Sequence, residues 1–277
     1  MKHEESEYVG YDGTRMFMQA WFPDEAPRAT VLGIHGLGSH SGLLAPMGAR
    51  FAERGYAFHA PDLRGFGRFE GRKGHVETFG EFDEDIHCIV QDLKEVYPDK
   101  KLFLYGHSLG AVHVLSYTIK YPDIVDGALL ICPAVSERLK VGAVTRALGR
   151  LLSALNVKTY IDNGLDLTLL ARNKEVVERN QNNPLRVDKV TPRFAIEGLD
   201  TSKRVSKSGP QIHVPLIMQQ GGSDQILIPE KSKEFFDSIA SEDKTWKLYP
   251  DLYHEPFEDP GGDELLDDLF AWLDAHA

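Results

Sequence analysis

Residues 102–117 read LFLYGHSLGAVHVLSY, and this stretch decides the fold. Its first four residues are a short apolar run without alternation, the pattern of a strand buried on both faces of a parallel sheet. From Ala111 onward the apolar positions fall at helical spacing. Between strand and helix stands Gly106-His107-Ser108-Leu109-Gly110, a G-x-S-x-G in the context its chemistry needs. A serine hydroxyl is a poor nucleophile unless it is lifted clear of the sheet. A strand-to-helix turn sharp enough to lift it tolerates only small residues on both flanks. The N-terminus of the helix behind it favours negative charge developing beside the serine.

Outward from this segment, similar apolar runs recur at Thr30 to His35, Tyr56 to Ala60, Gly127 to Cys132 and Pro215 to Gln219, with a further strand-like stretch at Thr245 to Tyr249. Tyr8 to Phe22 alternates around Asp12-Gly13 and reads as a hairpin. Between Ala60 and Lys101, apolar positions 79, 82, 86, 89, 90, 93, 96 and 97 keep the helical period, Thr78 and Glu81 form a capping-box pattern, and Pro98 ends the helix. Helical spacing also fits Leu44 to Arg54, Ala111 to Lys120, Lys231 to Ile239 and Leu265 to Leu273. Strand and helix alternating in this way give an α/β class, a mostly parallel, doubly wound sheet. The segment 136–213 breaks the rhythm, with helical stretches at Val144 to Leu155 and Leu165 to Val177 and no strand, so it reads as an all-helical insertion. The expected organisation is a core of 1–135 and 214–277 with a cap of 136–213. Positions 144, 148, 151, 152 and 155 form an apolar stripe, read first as packing against the main domain and second as a lid with contacts for acyl chains or a membrane surface.

The chain has 277 residues, 31 Lys plus Arg against 42 Asp plus Glu, and a net charge of −11. That field repels phosphate backbones, so nucleic acid is not an expected partner. Asp251 to Ala277 is rich in acidic residues without a Lys or Arg and reads as a solvated face. Two cysteines, Cys88 and Cys132, make no disulfide framework and no CxxC motif, which suits a reducing compartment. The first residues lack an apolar signal region and no stretch approaches the ~18 apolar residues of a membrane span, so the expected location is the cytoplasm.

A nucleophilic serine on this fold needs an acid and then a histidine downstream. After Ser108 the histidines are His113, His213, His254 and His276. His113 follows too soon in the elbow helix, His276 is in the tail, and His213 precedes a strand, at the wrong end of it. His254 follows the stretch Thr245 to Tyr249 in the loop before the last helix, where a base is expected. Asp224, in Gly221-Gly222-Ser223-Asp224, leaves the strand end after PLIMQQ and would hold the imidazole in the right tautomer. Asp243 and Asp251 read as turn residues, and Asp200 has no strand behind it. The oxyanion hole needs two backbone N–H groups. Leu109 supplies one, and Leu37, in His35-Gly36-Leu37-Gly38, the other.

Other chemistries fit less well. Gly36-x-Gly38 with Asp62 imitates a dinucleotide fingerprint, but Ser41 takes the third glycine position. His35, His40 and His254-Glu255 match no zinc spacing, so neither metal nor cofactor is expected, and His59, His75 and His87 read as structural or surface histidines. A serine at the elbow argues against dehalogenase and epoxide hydrolase chemistry, whereas thioesterase, perhydrolase and aminopeptidase chemistry share the same three residues. A ligand-binding homologue that turns over slowly or not at all is the reading from a different class.

The segments HGLGSHSG at 35–42, PDLRGFGRFEGRKGH at 61–75, GHSLG at 106–110, NNPLRVDKVTPRF at 182–194, GGSD at 221–224 and YHEPFED at 253–259 together resemble the monoacylglycerol lipase and lysophospholipase family of α/β-hydrolases. The resemblance implies a cap over an acyl-binding tunnel, hydrolysis of single-chain acyl esters, Ser108, Asp224 and His254 as the catalytic residues, and Leu37 and Leu109 as oxyanion donors. Animal monoacylglycerol lipases carry Glu and Arg where this chain has Ser39 and Leu43, and His where it has Phe257. Phe66 and Phe69 stand where many members have His and Ser, and Ala111 replaces a common Gly. These departures imply an alcohol pocket greasier than that of a glyceride lipase.

Overall fold

The computed structural model describes residues 1–136, 138 and 141–277. The first residues of the expected cap fall partly on Glu137, Leu139 and Lys140, which lie outside the described residues. The strands are β1 (Lys2–Val9), β2 (Arg15–Phe22), β3 (Thr30–Ile34), β4 (Ala57–Pro61), β5 (Leu102–His107), β6 (Gly127–Ile131), β7 (Ile161–Asp162), β8 (Lys189–Val190), β9 (Leu216–Gly221) and β10 (Lys244–Tyr249). The α-helices are α1 (Ala45–Glu53), α2 (Gly80–Val96), α3 (Leu109–Lys120), α4 (Ala143–Ala154), α5 (Lys174–Gln181), α6 (Pro192–Val205), α7 (Pro229–Ser238) and α8 (Gly262–His276).

Eight strands form one sheet in the order β1-β2-β4-β3-β5-β6-β9-β10. The hairpin turns at Asp12-Gly13 as expected, but its first strand, β1, starts at Lys2 and lies mostly ahead of the expected Tyr8; it pairs antiparallel with β2. β2 also runs antiparallel to β4, and every other pair in the sheet is parallel. β3, β4, β5, β6 and β9 are buried along their whole length, the physical origin of their unbroken apolar runs. Register brings the strand ends together: Ile34 pairs with Gly106, His107 with Ile131, Ile131 with Gln219, and Gly221 with Tyr249. The loops after β3, β5, β9 and β10 therefore leave one edge side by side, where open α/β sheets bind their ligands. On one face Phe51 stacks on Phe58 at 4.8 Å and meets Phe270 edge-on at 5.0 Å, fixing α1 and α8 against the sheet.

Four expectations are corrected. The capping box of α2 is only half made: the Thr78 N–H faces the Glu81 carboxyl, but the Thr78 side chain makes no bond at the helix start, and the Phe79 N–H donates to Glu197 of α6 at 3.0 Å. The insertion is not all-helical, because β7 and β8 pair as a short antiparallel ribbon. Leu165 to Val177 is not one helix but a single 3₁₀ turn at Leu167–Leu169 followed by α5. Apart from the half-buried Leu152, the apolar stripe of α4 does not pack inward either. Val144, Leu148, Leu151 and Leu155 are 84%, 54%, 56% and 66% exposed, and the face that meets α6 is the one carrying Gly149, beside Ile196.

The acidic tail lies largely on the surface, with Asp251, Asp263, Glu264, Asp267 and Asp274 exposed. Asp267, Asp268 and Asp274 face Arg54, Lys247 and Arg28, and Asp259 is fully buried. Among the described residues no helix is long and apolar enough to cross a membrane.

Candidate active site

Ser108 sits between β5 and α3 with φ 55° and ψ −119°, a conformation that L-residues rarely adopt. Its N–H donates to Ile131 at 3.0 Å, and its carbonyl accepts from Ala111 and Ala134, both at 3.1 Å, so the strained turn is held from several sides. The flanking glycines are required by backbone contact. A Cβ on Gly110 would stand 2.1 Å from the Ile34 carbonyl oxygen, and one on Gly106 would stand 2.6 Å from the Ala111 Cα.

The structure brings Ser108, His254 and Asp224 into one hydrogen-bonded line. His254 Nε2 is 2.9 Å from Ser108 Oγ, and His254 Nδ1 is 2.8 Å from Asp224 Oδ2. A carboxylate only accepts, so Nδ1 carries the proton and Nε2 is left to accept from the serine hydroxyl. Asp224 is fully buried. Burial alone would raise its pKa, but the His254 ring and the N–H groups of Leu227 and Ile226, at 2.9 and 2.7 Å, outweigh it and hold the carboxyl at about 2.

Gly221 and Gly222 let the strand exit pass close to the His254 loop; a Cβ on Gly221 would lie 2.2 Å from the Tyr253 carbonyl oxygen. That loop is held on three sides. Asp259 accepts from the Tyr253 N–H at 2.9 Å, the Glu255 N–H donates to Leu170 at 2.7 Å, and His107 donates to the His254 carbonyl at 2.8 Å. Spacing did not mark Asp259 or His107, because each acts through a backbone group that only the folded loop presents.

Leu37, Leu109 and Ser108 share the wall of a cavity of about 350 Å³, lined mostly by apolar groups such as Ala134, Ile161, Phe194 and Leu227. Among the described residues neither the Leu37 nor the Leu109 N–H donates to a protein acceptor. Oxyanion stabilisation requires two such unpaired backbone donors.

The remaining sequence candidates lie elsewhere. His113 is buried 4.4 Å from the Phe82 ring, His213 is exposed, and His276 pairs with Asp243. Asp200 meets Arg150 on the surface, and Asp251 is exposed in a turn. His35 accepts from the Leu63 N–H at 3.0 Å, and burial lowers its pKa to about 4, so it is a neutral brace for the glycine loop. Asp62 gives its two oxygens to the Ser41 and Arg68 N–H groups, both at 2.7 Å, and these bonds replace the ribose contact of a dinucleotide site. Cys132 lies within 4.8 Å of Asp224 and His254, a trio of metal-ligating types. Burial pushes its thiol pKa up, and Asp224 and His254 are already engaged with each other at 2.8 Å. Phe257 packs edge-on against His107 at 5.3 Å, and neither it nor Ser39 nor Leu43 lines the cavity.

The profile of the family described as serine aminopeptidase S33 matches residues 25–261. The sequence is 30% identical to a monoacylglycerol lipase of Mycolicibacterium smegmatis over 98% of this chain and 97% of that one. It is 32% identical to an abhydrolase domain-containing protein of Dictyostelium discoideum over 95% of this chain, which spans 28% of that longer protein. The monoacylglycerol lipase of Paleococcus ferrophilus superposes with a TM-score of 0.86 at 30% identity, covering 95% of this chain and 99% of that one.

Proposed function

The chain belongs to the serine aminopeptidase S33 family of α/β-hydrolases and is a monoacylglycerol lipase-like serine ester hydrolase; from that premise we propose that it cleaves single-chain acyl esters through an acyl-enzyme on Ser108. The observation that carries this reading is the line Asp224, His254, Ser108, with contacts of 2.8 and 2.9 Å, opening on a cavity of about 350 Å³ with mostly apolar walls.

In the proposed mechanism, Ser108 Oγ attacks the ester carbonyl as His254 Nε2 takes its proton. The carbonyl oxygen becomes an oxyanion against the Leu37 and Leu109 N–H groups. His254 returns the proton to the departing alcohol. Water, deprotonated by the same ring, then releases the acid. Asp224 keeps the proton on Nδ1 and stabilises the imidazolium between these steps. Residues 136–213 act as the cap over the acyl chain. The exposed α4 stripe beside the cavity wall supports contact with a lipid surface from which such substrates would enter.

The test is a chain-length series of p-nitrophenyl esters run beside monoacylglycerols, lysophospholipids and aminoacyl anilides, with Ser108→Ala as the blank. Ser108-dependent turnover favouring monoacylglycerol or lysophospholipid is expected. Turnover that survives Ser108→Ala at the wild-type level overturns the mechanism, and preference for the anilides moves the reading to a peptidase. Tight ligand binding with no turnover even on activated esters makes the chain a binding protein.

A further inference from the structure

We propose that Arg186 is a positioning residue for the oxyanion loop, its guanidinium fixing the Leu37 peptide and placing a positive charge behind the oxygen that becomes negative; this rests on the Ser108 reading above. Arg186 stands in the insertion, yet its Nη2 donates to the Leu37 carbonyl oxygen at 3.3 Å, on a residue that lines the cavity. Its Nη1 donates to Asn180 Oδ1 at 2.6 Å, and Asn180 in turn donates from Nδ2 to Glu255 at 3.2 Å, next to His254. One fork thus joins the loop after β3 to the loop carrying the base. The neighbouring backbone completes the clamp. The Val187 N–H donates to the Gly38 carbonyl at 2.9 Å, and Gly38, at φ +69°, leaves no room for a Cβ, which would stand 2.7 Å from the Val187 oxygen.

Two further observations give this side chain a task besides packing. Among the described residues no carboxylate touches Arg186 directly and its Nε is buried without a partner; the nearest acidic charges, Glu255 and Asp188, act on it from a distance, Glu255 through the shared Asn180. Its charge also reaches across the site: His35, His40 and His107 are held low chiefly by burial, Asp62 pulls the first two and Asp224 the third upward, and Arg186 opposes those carboxylates at all three. A cation that disfavours imidazolium favours an oxyanion in the same place. A lysine would keep the charge but lose the planar fork that spans Leu37 and Asn180.

The experiment compares wild type, Arg186→Met and Arg186→Lys on a short p-nitrophenyl ester and on an alkyl trifluoromethyl ketone, which adds the serine and leaves an alkoxide in the oxyanion hole. Arg186→Met is expected to lower kcat by about 10- to 100-fold with KM within about threefold, and to weaken the ketone's Ki by a similar factor. Arg186→Lys is expected to recover part of both. A fall in kcat with an unmoved Ki, or a loss carried by KM, overturns the proposal. If Arg186→Met does not fold, Arg186→Lys carries the test, and wild-type kcat and Ki in that variant overturn it. Ester turnover surviving in Ser108→Ala sinks the mechanism instead, a result separate from any on Arg186.

Discussion

His107, the residue before Ser108, donates its Nε2 proton to the backbone carbonyl of His254 at 2.8 Å, so the nucleophile's turn and the base's loop are tied by one hydrogen bond. Burial pulls the His107 pKa down to about 3, with the neighbouring His254 adding to the effect, so the ring stays neutral and the tie holds through mildly acidic pH. Replacing the donor leaves a buried carbonyl unpaired, at about 1–3 kcal/mol. His107→Phe is therefore expected to lower the unfolding free energy by that amount and kcat by about 10-fold at little change in KM. Chemical unfolding and steady-state kinetics on one preparation check both; an unchanged kcat would show that the tie serves stability alone.

The elbow stores strain that glycine alone releases. Ser108→Ala keeps a Cβ at φ 55°, ψ −119°, whereas Ser108→Gly removes it. Such strain costs on the order of 1–3 kcal/mol, and glycine's extra freedom in the unfolded chain takes back up to about 1. Both variants should be inactive, with the glycine variant more stable than the alanine by about 1 kcal/mol in urea melts. Equal stabilities would mean that the turn is relaxed.

A buried carboxyl between core and insertion sets a pH dependence of the opposite sign to Asp224. Asp83 accepts from Ser116 at 3.0 Å, and Ser116 accepts from Arg204 of α6 at 2.9 Å. Burial raises its pKa to about 6, against the opposing Ser116 bond and the Lys120 and Arg204 charges. A folded pKa above the unfolded value means the stabilisation is present below about pH 4 and lost as pH rises through 6. Asp83→Asn removes that loss. Relative to wild type, the variant should gain about 1–2 kcal/mol between pH 4.5 and pH 8, read as the change with pH and not as the absolute difference. A gap that stays constant across this range refutes the assignment.

The strands and the four proposed catalytic and oxyanion positions around Ser108 were legible because they rest on chain-local signals. Strands buried on both faces have unbroken apolar runs, and the order serine, acid, histidine with each at a strand end leaves Asp224 and His254. The insertion was not legible, because its structure is made by contacts across the chain. Asp166 and Asn173 accept from the N–H groups two residues on and break the helical spacing of Leu165 to Val177 into short turns. β8 lies beside the loop after β4, where the Thr191 N–H donates to the Gly74 carbonyl at 2.8 Å and a Cβ on Gly74 would meet the Lys189 oxygen at 2.4 Å. Arg186 could be quoted within a motif, but its role depends on a carbonyl 149 residues away.

The exposed stripe of α4 gives the last prediction. Leu148 and Leu151 are more than half exposed, and Gly149, on the opposite side of that helix, lines the cavity, so a surface that accepted the stripe would lie beside the acyl chain's way in. Residues 136–213 also carry more Lys and Arg than Asp and Glu, the reverse of the chain's 31 against 42, which turns this side toward anionic headgroups while the rest is repelled. Leu148→Asp with Leu151→Asp should weaken co-sedimentation with vesicles containing phosphatidylglycerol by about 10-fold or more, since each substitution removes a buried apolar contact and adds like charge. Turnover of soluble p-nitrophenyl acetate should be unchanged, because neither side chain lines the cavity. Raising salt should weaken wild-type binding only partly, leaving the apolar share. If the double variant sediments as the wild type does, the stripe is not a lipid contact; if acetate turnover falls as well, it supports the cap's own packing.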